Sequence, residues 1–134
     1  MKANPHLSFS GQCEEAFKYY EKHLGGKITR LATYEGTPAE QHMPPELRKK
    51  VIHAQIKIGE STMMGADAPP DRFQPTHGIA VTLEADSQGD AERMFNALAD
   101  GGSVQMPMDK TFFAAKFGML RDRFGIPWMV ICEK

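Results

Sequence analysis

The stretch "NALADGGSVQM" (Asn96–Met106) closes an apolar-striped segment on a Gly-Gly pair and then alternates apolar with polar residues. Near the start of the chain, "EKHLGGKI" (Glu21–Ile28) does the same. One repeated Gly-Gly carries little weight, so the flanking segments decide whether it marks an internal duplication. Before the first pair, "EEAFKYYEKHL" places Ala16, Phe17, Tyr20 and Leu24 on one stripe of a helix, opened by two acidic residues and closed by Gly25. Leu7 and Phe9 alternate with His6 and Ser8 ahead of it, which predicts a short strand. "KITRLATY" resumes the alternation behind it. The Pro-rich "EGTPAEQHMPPELRKK" reads as a long loop with a short helical turn at Glu46–Lys49. "VIHAQIKIGESTMMGAD" is a hairpin turning at Gly59-Glu60, with His53, Gln55 and Lys57 on its polar side.

The same order then repeats. "HGIAVTLEA" predicts a strand that sends Ile79, Val81 and Leu83 to the core and leaves Gly78, Ala80 and Thr82 on the other face. "DSQGDAERMFNALAD" predicts a helix, "SVQMPM" a strand, "MDKTFFAAK" a loop, and "FGMLRDRFGIPWMVICEK" a second hairpin turning at Phe124–Pro127. Each half is βαβββ, and the fold class is α+β. We assign module one to about residues 1–67, a linker with three prolines ("APPDRFQPT") to about 68–76, and module two to about 77–134, within one domain. Superposing Gly25 on Gly101 offsets the halves by 76 residues, and superposing the hairpin glycines Gly59 and Gly125 offsets them by 66. The longer loop of the first half absorbs the difference.

Composition narrows the partners. The chain has 134 residues, 16 Lys and Arg against 17 Asp and Glu, and no basic stripe, so nucleic acid is not expected. No apolar run resembles a signal peptide or a membrane span, which points to a cytoplasmic protein. Cys13 and Cys132 have no metal-type spacing and read as free thiols in a reducing compartment, with a contact between the chain ends left open. Nine methionines suit either core gaps or an adaptable apolar pocket.

Two tandem βαβββ modules resemble the vicinal oxygen chelate superfamily of glyoxalases, extradiol dioxygenases and bleomycin-resistance proteins. "LSFSGQCEEAFKYYEKHLGG", "VIHAQIKIGESTMMGAD" and "ALADGGSVQMPMDKTFFAAKFGMLRDRFGIPWMV" resemble its PhnB-like branch, which also carries a demethylubiquinone methyltransferase label. The resemblance implies curled sheets whose concave sides hold a small ligand, and a homodimer. Metal-using members take His, Gln or Glu ligands from the first and last strands of each module. Carried over, those positions fall near Asn4, Met63, Gly78 and Met129, with Met63 and Met129 at the same 66-residue offset as the hairpin glycines. Thioethers are poor ligands for hard divalent ions. No metal site and no cofactor are therefore expected, unless a divalent metal is held through His6 or His77.

The candidate ligand-lining residues are His6, Ser8, Gln55, Met63, Phe113 and Met129. His53 is the candidate catalytic base, because imidazole titrates near neutrality; the plainer reading is a strand histidine bonded to a neighbour. Phe112 and Phe117 stand between ligand wall and core. Trp128 reads as core, Asp67 as an Asx turn, and His42 and Met43 as a solvated loop rather than a lid. "LRDRFG" offers an Arg-Asp-Arg anion site, against which stands ordinary turn solvation. No Gly-rich opening supports a Rossmann-type methyltransferase. Three functions stay open: a small-molecule-binding protein, an enzyme acting on a small oxygenated substrate, and a resistance protein that sequesters a toxic compound.

Overall fold

The computed structural model describes residues Met1–Lys134, which divide into two compact units, Met1–Pro75 and Thr76–Lys134. The first contains β1 (His6–Phe9), α1 (Cys13–Leu24), β2 (Lys27–Thr33), β3 (Val51–Ile58) and β4 (Ser61–Asp67). The second contains β5 (Val81–Glu84), α2 (Gln88–Ala99), β6 (Ser103–Asp109), β7 (Lys116–Arg121) and β8 (Pro127–Cys132). The sheets run β1-β4-β3-β2 and β5-β8-β7-β6. In each, the first strand pairs parallel to the last and the other pairings are antiparallel. The fold is α+β, and the two units share one topology down to strand sense.

Each helix covers one face of its own sheet. α1 packs on β2, β3 and β4, and α2 on β6, β7 and β8. Ala16, Phe17, Tyr20 and Leu24 are buried on α1, and Ala91, Phe95 and Leu98 on α2. A glycine in each sheet receives a helix ring. A Cβ on Gly65 would lie 2.8 Å from Phe17, and one on Gly118 would lie 2.7 Å from Phe95. The Gly-Gly pairs play matched parts. Gly25 (φ 72°) and Gly101 (φ 79°) turn left-handed at the helix ends. A Cβ on Gly26 would then lie 3.0 Å from the Ile58 side chain, and one on Gly102 would run into the Arg121 carbonyl oxygen.

Several expectations need correction. β5 starts at Val81, because Gly78 takes a positive φ of 78° that breaks the extended run. Ile79 is therefore outside the strand and 72% exposed rather than in the core. The Pro-rich loop carries two short 3-10 turns, Glu40–His42 and Pro45–Leu47, rather than one. Met63 is 3% exposed and shares the helix-facing side of β4 with Gly65 and Asp67. It is a core residue, not part of an open face. The turns explain the error. β3 and β4 pair up to Ile58↔Ser61, leaving two residues to turn, whereas β7 and β8 pair up to Arg121↔Pro127, leaving five. A constant offset of 66 crosses that length difference, and one residue of slip moves a side chain to the opposite face. Met64 is the residue placed like Met129: it pairs with His6 on the first strand, as Met129 pairs with Thr82.

Candidate functional site

The faces without a helix are where side chains remain available, and strand register shows who stands beside whom. In the first unit the row runs His6, Met64, Gln55, Arg30, one residue per strand across the sheet. Ser8 pairs with Ala66, and His53 with Ala32, in the adjoining positions. His6, Ser8, His53 and Gln55 thus share one face. Ser8, His53, Gln55 and Met64 are half-buried, while His6 and Arg30 are exposed.

The matching row of the second unit is Thr82, Met129, Met119, Met106. Beside it run Glu84, Ile131, Phe117 and Asp109. Phe113 reaches this face from the β6–β7 loop. Its ring lies 5.1 Å from Phe117 and 5.1 Å from Phe112, both near-perpendicular. Phe113 is half-exposed and Phe112 fully so, while Phe117 is only partly covered. This face is rich in thioethers and aromatic rings at its centre, with Glu84 and Asp109 on its edge strands, where the first is polar and basic. Met64, Met119, Met106 and Arg30 were not among the sequence candidates. Alternation alone could have exposed Met119, but Arg30 depends on a β-bulge that alternation hides.

The residues offered for a metal do not form one. No three His, Cys, Asp or Glu side chains come together anywhere in the chain. On the helix-free faces the first and last strands supply His6, Ser8 and Met64 in one unit, and Thr82, Glu84 and Met129 in the other. Each unit therefore offers one ordinary ligand beside a thioether and a hydroxyl, which does not fit a hard divalent ion.

Two buried carboxylates that resembled candidates are structural. Asp67 Oδ1 accepts from the backbone N–H of Gly11 and Cys13, both at 2.9 Å, and Oδ2 accepts from Val51 N–H at 2.9 Å. It ties the start of α1 to β3 and is no Asx turn. Asp122 accepts from the N–H groups of Phe124 and Ile126 and from Trp128 Nε1, each at 2.9 Å. "LRDRFG" is consequently no anion site: Arg121 donates to the carbonyls of Thr76 and Gly125, and Arg123 pairs with Asp100. Trp128 is core, at 1% exposure. Cys13 and Cys132 are buried free thiols. Burial, with the Asp67 and Glu14 charges, pushes the Cys13 thiol up to about 12. In the long loop Met43 is buried rather than solvated, and a cleft of about 480 Å³ opens between this loop and Pro70-Asp71. His42 and Arg48 line it, and no strand residue does.

The family model described as 3-demethylubiquinone-9 3-methyltransferase matches residues 1–131. The chain belongs to that family. Its fold is the glyoxalase-like one. Protein YjdN of Escherichia coli K12 is 30% identical over 138 residues, covering 97% of this chain and 94% of its own. The crystal structure of protein PA1353 from Pseudomonas aeruginosa has 42% identity and a TM-score of 0.90, covering 99% of this chain and 98% of that one. A glyoxylase/bleomycin resistance/dioxygenase domain from Frankia superposes with a TM-score of 0.67 at 12% identity, covering 100% of this chain and 98% of that one; it shows the fold alone. No helix is long and apolar enough to cross a membrane.

Proposed function

We propose that this chain binds a small molecule on the helix-free faces of its sheets, without a divalent metal. One observation carries this reading: those faces present half-buried side chains that the core leaves unused. Gln55 and His53 have no side-chain hydrogen bond within the chain, and Met119, Met129 and Phe117 are only partly covered on two adjoining cross-strand rows. Methionine adapts its shape to different ligands, and Phe supplies flat contact area. The ligand this suits is compact, part apolar and part oxygenated. Methyl transfer, which the family description names, finds no support here, because each sheet has a single parallel pair among antiparallel ones and neither has the all-parallel strands and glycine-rich helix start of a nucleotide-type cofactor fold.

The test uses methionine methyl groups as reporters. A fragment library screened against protein with labelled methyls should give saturable shifts at Met64, Met119 or Met129. Hits that move only methyls of buried Met43 or Met63, or none, would refute the proposal.

A second reading, an enzyme with His53 as general base, is favoured by one feature. His53 is half-buried on the inner strand β3 and its ring nitrogens bond to no other group of the chain. His53→Ala should then abolish turnover of a hit compound while leaving its affinity within about threefold. Recovery of every hit unchanged after incubation points instead to binding or sequestration.

We also propose a cytoplasmic homodimer. Ile79, Val104, Met106, Phe112 and Phe113 are large exposed apolar residues of the second unit, surface that a second copy would cover. Light scattering after size exclusion should give twice the chain mass, and Phe112→Asp should lower it. Two unpaired buried thiols suit a reducing compartment.

A further inference from the structure

We propose that the helix-free face of the first unit is an oxyanion site, where Arg30 and Gln55, with His53 beside them, hold a carboxylate or phosphoryl group of a small ligand. The proposal rests on the reading that the ligand occupies this face, and adds its charge.

The strands of the first unit carry a single carboxylate, Asp67, and it lies on the helix side with its oxygens occupied by three backbone N–H groups. The opposite face collects cations instead. Lys27 pairs with Lys57, Arg30 with Gln55, Ala32 with His53 and His6 with Met64. No strand residue on that face offers a compensating negative charge.

Those cations are also uncommitted. Lys27, Arg30 and Lys57 make no ion pair, whereas the basic strand residues of the second unit are engaged. Lys116 pairs with Glu92 at 2.9 Å, and Arg121 donates to two carbonyls at 3.1 and 2.7 Å. Like charges such as Lys27 and Lys57 set opposite each other destabilise a sheet unless an anion neutralises them.

The backbone is shaped to bring Arg30 here. Continuing the alternation from the Lys27↔Lys57 pair would set Thr29 opposite Gln55 and send Arg30 to the helix side. A bulge between Ile28 and Arg30 makes Thr29 the extra residue, its hydroxyl 3.5 Å from the Gln55 carbonyl, and turns Arg30 across Gln55. Bulges re-aim side chains in this way, and a guanidinium suits the paired oxygens of a carboxylate or phosphoryl group.

The experiment titrates the full chain, labelled with 15N, with phenylphosphonate, benzoate and uncharged benzamide, and repeats each titration on Arg30→Gln. Arg30 is exposed, and an unchanged amide spectrum elsewhere shows that the variant is folded. The proposal expects one or both anions to shift the amides of Arg30, His53 and Gln55 saturably. It expects Arg30→Gln to weaken that binding at least about tenfold, as loss of a charge-assisted contact should. Comparing the two anions separates a carboxylate from a phosphoryl preference. Benzamide binding on this face as tightly as the anions, with no effect of Arg30→Gln, overturns the charge assignment and leaves the binding reading standing. Anion shifts centred on Arg48 or another surface overturn the site. Silence from all three compounds at this face overturns the oxyanion site, and the methionine-methyl screen then judges the binding reading by itself.

Discussion

Asp67 does for α1 what the local sequence does not. The residue before the helix, Gln12, makes no side-chain cap, so the carboxylate of Asp67, 54 residues further along the chain, accepts from Cys13 N–H and from Gly11 N–H. Its other oxygen accepts from Val51 N–H, and at 1% exposure none of these groups has water as a substitute. Asp67→Asn keeps the shape but replaces one acceptor oxygen by an NH2 that faces a donor. The expected cost is about 3 kcal/mol in guanidinium unfolding, and a loss below about 1 kcal/mol would contradict the capping role. Cys13 lies against the same carboxylate. Burial first, then the Asp67 and Glu14 charges, raise its thiol from 9.0 to about 12. A folded-state pKa above the unfolded one stabilises the fold at pH values below 9, and this contribution is lost as pH rises from about 9 towards 12. Tyr34, whose hydroxyl donates to the Asp67 carbonyl, is raised chiefly by burial and adds a slope of the same sign. Cys13→Ala should therefore flatten, without abolishing, the fall in unfolding midpoint between pH 8.5 and 10.5. Native protein at pH 8 should also resist iodoacetamide at Cys13 and react there once unfolded.

The paired glycines show how an element boundary is fixed twice by different constraints. Gly25 needs a positive φ but has open space around it, so Gly25→Ala should cost only the left-handed penalty, about 1–2 kcal/mol. Gly102 has an ordinary φ but abuts the backbone of Arg121 and Asp122, which has no side-chain freedom with which to retreat. Gly102→Ala should be the worse of the two, on the order of 3 kcal/mol or more, with loss of β6–β7 protection in hydrogen exchange. Equal costs would mean that β6 shifts freely. Element order, helix stripes and hairpin positions were legible because each rests on local periodicity and on glycines at turns. The faces of individual residues were legible only where alternation ran unbroken. His6, Ser8, His53 and Gln55 fell on one face as alternation implied. Met63 did not, because turn length is a pairing property that glycine spacing does not reveal. Arg30 was hidden by its bulge, and the role of Asp67 by the separation of 54 residues from the Cys13 N–H it caps.

At the scale of the molecule, the two sheets share one topology while their helix-free faces differ in chemistry. The first-unit row His6, Met64, Gln55, Arg30 is polar and cationic, and its counterpart Thr82, Met129, Met119, Met106 is thioether-rich. At matched positions on the last strands, Met64 and Met129 both present sulfur, a poor donor to hard divalent ions. A divalent ion resident at about a hundred times its dissociation constant would add about 2.7 kcal/mol to folding. For a chain of this size its removal would lower the melting temperature on the order of 10 °C. On the metal-free reading proposed above there is no such linkage, so prolonged dialysis against EDTA should move the melting temperature by less than about 1 °C. Adding Zn²⁺, Mn²⁺ or Ni²⁺ back should not raise it, and ligand-induced methionine methyl shifts should be the same in EDTA as without it. A fall of several degrees in EDTA, restored by one of these ions and lost in His6→Ala or Glu84→Gln, would show that oxygen and imidazole ligands converge after all and would sink the metal-free reading.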